Sequence, residues 1–383
     1  MSRKLTSLSV VAGLLGGTAL ADVPNVAVDI APVHSLVARV MDGVGSPNLI
    51  IQQGASPHEY SLRPSEARAL QNADLVFWIG EDLTPWMEDA VETLAAGATV
   101  TSLLDADGTT LLEFREGAMF EAHAHGEEKH DDHGHDDHGE EKHEDHAHDE
   151  HGEEKHDDHA HDEHGEEKHD DHAHDDHGEE KHEDHAHDEH GEEKHDDHAH
   201  GDEDHADHHD HAHGEHDPHA WLSTANASVW LNVIAGQLSS ADPENAGTYF
   251  ANAAAAREEM AALSADISAT LAPVRGGRFI VFHDAYHYFE AEFDFPASGA
   301  ISLSDASDPS PARIAEIQDR INEEAVQCVL AEPQFNPGLV TTVLDGTEAR
   351  TRVIDPIGIE LEPGPTLYPQ LMRAMAKTLA DCL

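Results

Sequence analysis

Histidine carries the chemistry of this chain: 31 of its 36 histidines lie between Glu121 and His216, interleaved with aspartate and glutamate. They ride on a thirteen-residue repeat, HGEEKHDDHAHDE, that starts at His125 and recurs at His138, His151, His164, His177 and His190 with only small exchanges. Neutral imidazole suits zinc, copper and nickel, so strings of H-x-H and H-x-x-H pairs beside carboxylates offer many interchangeable ligands. His123, His125, His130, His133, His135 and His138 at the start, with His208, His209, His211 and His213 at the end, are accessory ligands of this kind. No single pair is a defined site. A merely solvating acidic spacer would need the charge but not the histidines. The segment is poor in aliphatic and aromatic residues, so it buries too little apolar surface to offset its ordering entropy and is expected to be disordered without metal. Its affinity should fall as pH drops through the histidine range, because protonated imidazole cannot ligate.

Five histidines lie elsewhere, and three share a setting. His58 sits in the turn-rich string Gly54-Ala55-Ser56-Pro57-His58-Glu59-Tyr60, just after a predicted strand. His219 lies in Asp217-Pro218-His219-Ala220-Trp221, just before a predicted helix, and His283 closes the predicted strand that begins at Arg278. One histidine at such a position is an ordinary hydrogen-bonded residue. Three at the edges of β/α units point to a shared metal centre, since zinc takes imidazole nitrogens in near-tetrahedral geometry. The other two read differently. His34 falls in a helix pattern and reads as structural. His287, one turn after His283, either supports a second zinc or bonds to a neighbour. Asp284 is placed to orient His283 or to cap the following helix. Glu66 and Arg63 are expected to pin the His58 loop by charge-assisted bonds.

Charge narrows the partners. The chain has a formal net charge of −58, and both the histidine-rich segment and the remainder are acidic. Phosphate binding needs a basic footprint, so nucleic acid is excluded as an expected partner and cations are favoured. A hydrolase built on zinc would need an open coordination position beside a general base. No HExxH or equivalent spacing is present.

Positioning these residues falls to an α/β framework. On either side of the insertion at 121–216, short apolar runs alternate with helical patterns. The strands read as Val26–Ile30, Asn48–Gln52, Ala73–Ile79 and Thr99–Leu103, then Arg278–Phe282, Ser298–Leu303, Cys328–Ala331 and Arg352–Ile354. The intervening helices read as Val33–Met41, Ser65–Gln71 and Pro85–Ala95, then Tyr286–Phe293, Pro311–Glu323 and Pro337–Leu344, with Leu367–Leu379 closing the chain. Such alternation implies two lobes with parallel sheets and ligands at strand ends or between lobes. A helix at Thr224–Leu238, capped by Ser223, completes the first lobe over 217–241. Asp242-Pro243-Glu244 then reads as the start of an alanine-rich helix running to 272, a rod of ~45 Å at ~1.5 Å per residue that would join the lobes rigidly. The first lobe thus takes 22–120 and 217–241, and the second 273–383.

Arg3 and Lys4 precede a short apolar stretch from Leu8 to Leu20 that ends in Ala19-Leu20-Ala21, a small-x-small cleavage pattern. Residues 1–21 are therefore expected to be a secretory signal, too short and glycine-rich for a membrane anchor. With no cysteine at the cleavage point, the mature protein is expected to be soluble in the periplasm of a Gram-negative cell. The chain has two cysteines, Cys328 and Cys382; in an exported protein an even count reads as one disulfide.

The strings PHEYSLRPSEARALQNADLVFWIG, DPHAWLS, FHDAYHYFE, LAEPQFNP and VIDPIG resemble those of the periplasmic zinc-binding proteins of ABC transporters, the ZnuA type, and do so in order over nearly all of the chain after residue 21. The resemblance implies two β/α lobes joined by a long, stiff helix and one zinc ion in the interlobe cleft, with delivery to an inner-membrane ABC permease. It implies His58 and His219 as first-lobe ligands and His283 as the second-lobe ligand, a histidine where manganese relatives carry a carboxylate. Asp355 matches the fourth ligand of related proteins; some zinc members instead use water or a glutamate just before the first histidine, where this chain has Pro57, with Glu59 on the other side. Cys328 and Cys382 fall where proteins of this type carry their disulfide. The histidine-rich loop would be an accessory zinc collector or sensor. The chain is expected to act as a monomer and to catalyse nothing. A stand-alone periplasmic metal buffer is the alternative function, with a zinc hydrolase behind it.

Overall fold

The computed structural model describes residues 23–115, 120, 216–302 and 309–383. The predicted signal segment at 1–21, the accessory histidines from His123 to His213 and the predicted disorder of their segment lie outside these residues. All of the described residues belong to one of the two units into which the chain divides, Met1–Ala124 with His209–Leu383. Among the described residues no helix is long and apolar enough to cross a membrane.

Two α/β lobes follow from the alternation of apolar runs and helix starts. In the first, β1 (Val26–Val28), α1 (Ala31–Val40), β2 (Asn48–Leu49), α2 (Pro64–Gln71), β3 (Leu75–Trp78), α3 (Pro85–Leu94) and β4 (Thr99–Ser102) form a parallel sheet of order β2-β1-β3-β4. After the insertion come a 3-10 turn at Ala220–Leu222, α4 (Thr224–Ala241) and α5 (Ala246–Leu271). The second lobe has β5 (Phe279–His283), α6 (His287–Phe293), β6 (Ala300–Ser302), α7 (Pro311–Glu323), β7 (Cys328–Ala331), α8 (Pro337–Leu344), β8 (Arg350–Val353) and α9 (Leu367–Cys382), and its parallel sheet runs β6-β5-β7-β8. Both lobes therefore use one topology. In each, the first strand is the point where the winding reverses, and ligands of such sheets bind beyond the carboxyl ends of the strands at that point.

Strand alternation divides the packing. Successive side chains of a strand face opposite ways. Leu75 and Phe77 accordingly join one core while Val76 and Trp78 join another, lined by α2 and α3 residues. In β5, Phe279 and Val281 face the same large core that Leu75 enters, whereas Ile280 and Phe282 face a third, with α7 and α8. The large core holds residues of α1, α4, α5 and α9 and is continuous from lobe to lobe. The lobes are therefore packed on a common apolar interior.

α5 lies at the centre of that interior. Its buried residues, Tyr249, Ala253, Ala256, Met260, Leu263, Ile267 and Leu271, recur every three or four positions and make one apolar stripe. The helix contacts α1 of the first lobe and α9 of the second, and Arg39 pairs with Glu259 through two bonds of 2.7 and 3.2 Å. Its start departs from the expectation: α4 continues to Ala241, and α5 begins at Ala246. The Asp242 side chain, at the expected helix start, accepts bonds from the Asn245 backbone N–H and side-chain amide and from the Tyr249 hydroxyl, holding the turn between the two helices. Pro243 sits in that turn, where its missing N–H costs nothing. At 26 residues α5 spans ~39 Å.

Cys328 on β7 and Cys382 at the end of α9 form a disulfide, their Cα atoms 5.8 Å apart. It closes a loop across 54 positions, and a loop of that length is worth about 4 kcal/mol in the chain-entropy model. Replacing both cysteines by serine is expected to lower the melting temperature of the metal-free protein by about 10 °C in calorimetry. An unchanged midpoint would show that α9 is held by its packing alone.

Candidate metal centre

His58 is placed by a loop that owes its shape to side chains rather than to regular structure. The loop runs from β2 to α2. The Trp86 indole N–H donates to the Pro57 carbonyl at 2.8 Å, and the Tyr60 hydroxyl donates to Glu66 Oε1 at 2.8 Å. Glu66 Oε2 accepts from the Arg63 backbone N–H at 2.7 Å and so starts α2. Glu66 and Arg63 thus pin the loop. Gln53 reaches from the same segment to the Gly358 carbonyl at 2.7 Å, so the first-lobe loop is tied to the loop that carries Asp355.

His219 precedes the 3-10 turn and is 6 % exposed. The Trp221 indole fixes that turn to the second lobe by donating to the Pro356 carbonyl at 2.9 Å, and the Tyr368 hydroxyl donates to the Trp221 carbonyl at 2.8 Å. His283 is the last residue of β5, at the switch point of the second sheet, and is 4 % exposed. Elements of both lobes bring these side chains together: the ring centroids of His58 and His219 are 5.6 Å apart, and those of His219 and His283 are 5.4 Å apart. Imidazoles bound through nitrogen to one tetrahedral zinc at ~2.0–2.1 Å have centroids about 5 Å apart. Among the described residues, no group of three or more histidine, cysteine, aspartate or glutamate side chains already has the geometry of an ion site. The arrangement brings candidate ligands together without a finished coordination sphere.

Two carboxylates select the nitrogens. Asp217 Oδ1 is 2.8 Å from His219 Nδ1, and Glu332 Oε1 is 2.7 Å from His283 Nδ1. An acceptor at Nδ1 favours the tautomer with its proton there, which leaves the lone pair on Nε2 for a metal and raises its basicity. Both carboxylates are buried. Burial pushes the Asp217 carboxyl up to about 7, against the pull of the His219 backbone N–H and of the nearby His287, Arg115 and His283 charges. Glu332 Oε2 also accepts from the Gln334 side chain at 2.9 Å.

Neither carboxylate was singled out from the sequence. Asp217 stands two residues before His219, the spacing of a side chain that bonds back to its own turn, and it also accepts from the His219 backbone N–H at 3.0 Å. Glu332 is invisible until β5 and β7 pair. Their parallel register sets Phe279 beside Cys328 and Ile280 beside Val329, and carried forward it sets His283 beside Glu332.

The remaining candidates fall as follows. Asp284, expected to orient His283 or cap α6, bonds to Arg115 instead, and α6 has no side-chain cap. Asp284 lies in the bend just past the end of β5, where its carboxylate meets the Arg115 guanidinium. His287 Nδ1 lies 3.7 Å from Asp217 Oδ2, beside the centre. Glu59 is exposed. Asp355 turns its carboxylate onto its own loop, accepting from the backbone N–H groups of Ile357, Gly358 and Ile359. It lies near enough to the buried Tyr286 to help raise that phenol's pKa, after burial and Glu332, and the Tyr286 ring is 6.3 Å from the His283 ring. His34 bonds to the Pro47 carbonyl at 3.2 Å, and burial lowers its pKa, as a structural histidine requires.

Paired parallel lobes with side chains gathered beyond their strand ends define a two-lobed binding protein. The chain matches the family model described as ZnuA, zinc-uptake complex component A periplasmic, over residues 26–382, and it belongs to that family. It is 43% identical over 372 residues to the high-affinity zinc uptake system protein ZnuA of Brucella abortus (strain 2308), covering 97% of this chain and 95% of that protein. It is 42% identical over 378 residues to the protein of the same name from Paracoccus denitrificans (strain Pd 1222), covering 98% and 97%. A crystal structure of ZnuA shares the fold, with a TM-score of 0.61 at 17% identity over 94% of this chain and 99% of that one.

Proposed function

We propose that the protein captures zinc in the periplasm with high affinity and delivers it to an inner-membrane ABC permease. The observation that carries this is the meeting of His58, His219 and His283 from two loops and the end of β5, two of the rings backed by buried carboxylates, in a chain of the ZnuA family. Three neutral imidazoles suit zinc and not the harder magnesium or calcium. Asp355 or water fills the fourth position: three backbone N–H groups hold the Asp355 carboxylate, two on Oδ1 and one on Oδ2, which leaves Oδ2 a lone pair for the ion. Binding is the whole of the chemistry, and nothing is hydrolysed. Ligands drawn from two lobes couple the ion to their relative position, and that shape distinguishes the loaded protein for the permease. The protein works as a soluble monomer after loss of residues 1–21.

The histidine-rich loop is an accessory of lower affinity. Deleting residues 126–213 is expected to leave one tight zinc equivalent, within about threefold of the full-length Kd, and to remove the weaker equivalents in calorimetry. Loss of the tight equivalent would place the principal site in the loop and make the protein a buffer. Zinc-dependent binding to the permease in detergent tests the delivery step.

A further inference from the structure

Arg115 is a nearly buried cation whose carboxylate partners among the described residues, Asp284 and Glu290, come from the other lobe. It leaves the first lobe in the segment after β4. Its Nε donates to Asp284 Oδ2 at 3.0 Å, Nη1 to Glu290 Oε2 at 2.6 Å, and Nη2 to Glu290 Oε1 at 3.1 Å and to Asp284 Oδ1. The Phe120 ring covers the guanidinium, its centroid 3.5 Å from Cζ. Glu290 is held in turn by the Ala297 backbone N–H at 3.0 Å.

The same stretch makes a second connection. The Leu112 N–H donates to the Tyr288 hydroxyl, which donates to the Asp217 carbonyl, and the Asp217 N–H donates to the Leu112 carbonyl, each at 2.9 Å. These bonds link Asp284, one residue after His283, to Asp217, two residues before His219. Stability does not account for them, because a buried ion cluster is often matched or bettered by apolar residues of similar size. A fixed geometry does. Only a guanidinium offers a planar fork that holds two carboxylates at once.

We propose that Arg115 is a positioning residue for the metal centre, locking the spacing of His219 and His283 by clamping the first-lobe segment 112–115 and Asp217 to the second-lobe residues Asp284, Tyr288 and Glu290. The proposal rests on the ligand set given above.

The test compares full-length wild type with Arg115→Met, Arg115→Lys and His283→Ala, reading the tight zinc Kd by competition with a chromophoric chelator and the melting temperature of each metal-free protein. Arg115→Met is expected to weaken the tight site about 10- to 100-fold, as loss of outer support does for other zinc centres, and also to lower the metal-free midpoint, because Asp284 and Glu290 lose their cation. Arg115→Lys keeps the charge but not the fork, and is expected to lose a smaller factor of roughly 3 to 10. A lower midpoint with the folded protein's Kd unchanged would show a merely structural role and overturn the proposal, as would no change in either quantity. Should Arg115→Met not fold, the lysine variant decides, and an unchanged Kd there overturns the clamp. A wild-type Kd in His283→Ala would overturn the ligand set itself, and the clamp with it.

Discussion

Replacing His58, His219 and His283 together by alanine is expected to abolish the tight zinc site while the weaker binding of the histidine-rich segment persists. Apparent zinc-binding free energies of closed sites are ~10–16 kcal/mol, nearly all of it from the ligand bonds. Removing three of four ligands therefore raises Kd by at least ~10³-fold, or about 4 kcal/mol. His58 lies in a loop pinned by Trp86, Tyr60 and Glu66 rather than by its own ring, so its replacement leaves that loop in place. Calorimetric titration of the metal-free protein reads both components in one experiment. Survival of the tight component would move the principal site out of the two lobes.

Glu332→Gln and Asp217→Asn come next in size. Each keeps the shape of an acceptor beside its histidine but removes the charge, and the amide can present N–H₂ to Nδ1 and so favour the wrong tautomer. A loss of about 10- to 100-fold in zinc affinity is expected for each, or roughly 1.4–2.7 kcal/mol. The Asp217 variant carries a further signature. Burial pushes the Asp217 carboxyl up to about 7 in the metal-free protein. Below that pH it is protonated and donates where it should accept, so zinc must displace its proton and affinity falls as pH drops through 7. That component of the pH dependence disappears in Asp217→Asn, while the part due to imidazole protonation remains. Identical pH profiles for wild type and variant would exclude the role.

The sequence was sufficient for whatever depends on near neighbours. Short apolar runs place the buried strands β1, β3, β5, β6 and β7, because a buried strand is a short apolar run whatever it pairs with. Ser223, Ser310 and Asn336 cap the helices that follow them, each side chain accepting from a backbone N–H two or three residues on. The histidines at loop and strand-end positions are the ones the fold gathers. Asp242 marks the limit of local reading: Asp-Pro-Glu is a good helix start in isolation, but the side chain of Asn245 and the hydroxyl of Tyr249 offered its carboxylate better partners one turn on.

Only the tertiary structure decided what stands behind the ligands. Glu332 is 49 residues from His283 and meets it because β5 and β7 pair in one register. Arg115 is 169 residues from Asp284 and meets it because the two lobes pack on a shared core. Such partners leave no local pattern, since a carboxylate after a strand and an arginine in a loop are ordinary on a solvated surface. Adjacent sequence composed the candidate ligands as a set of types, and the pairing of distant strands and lobes brought that set together and set the acceptors beside two of its rings.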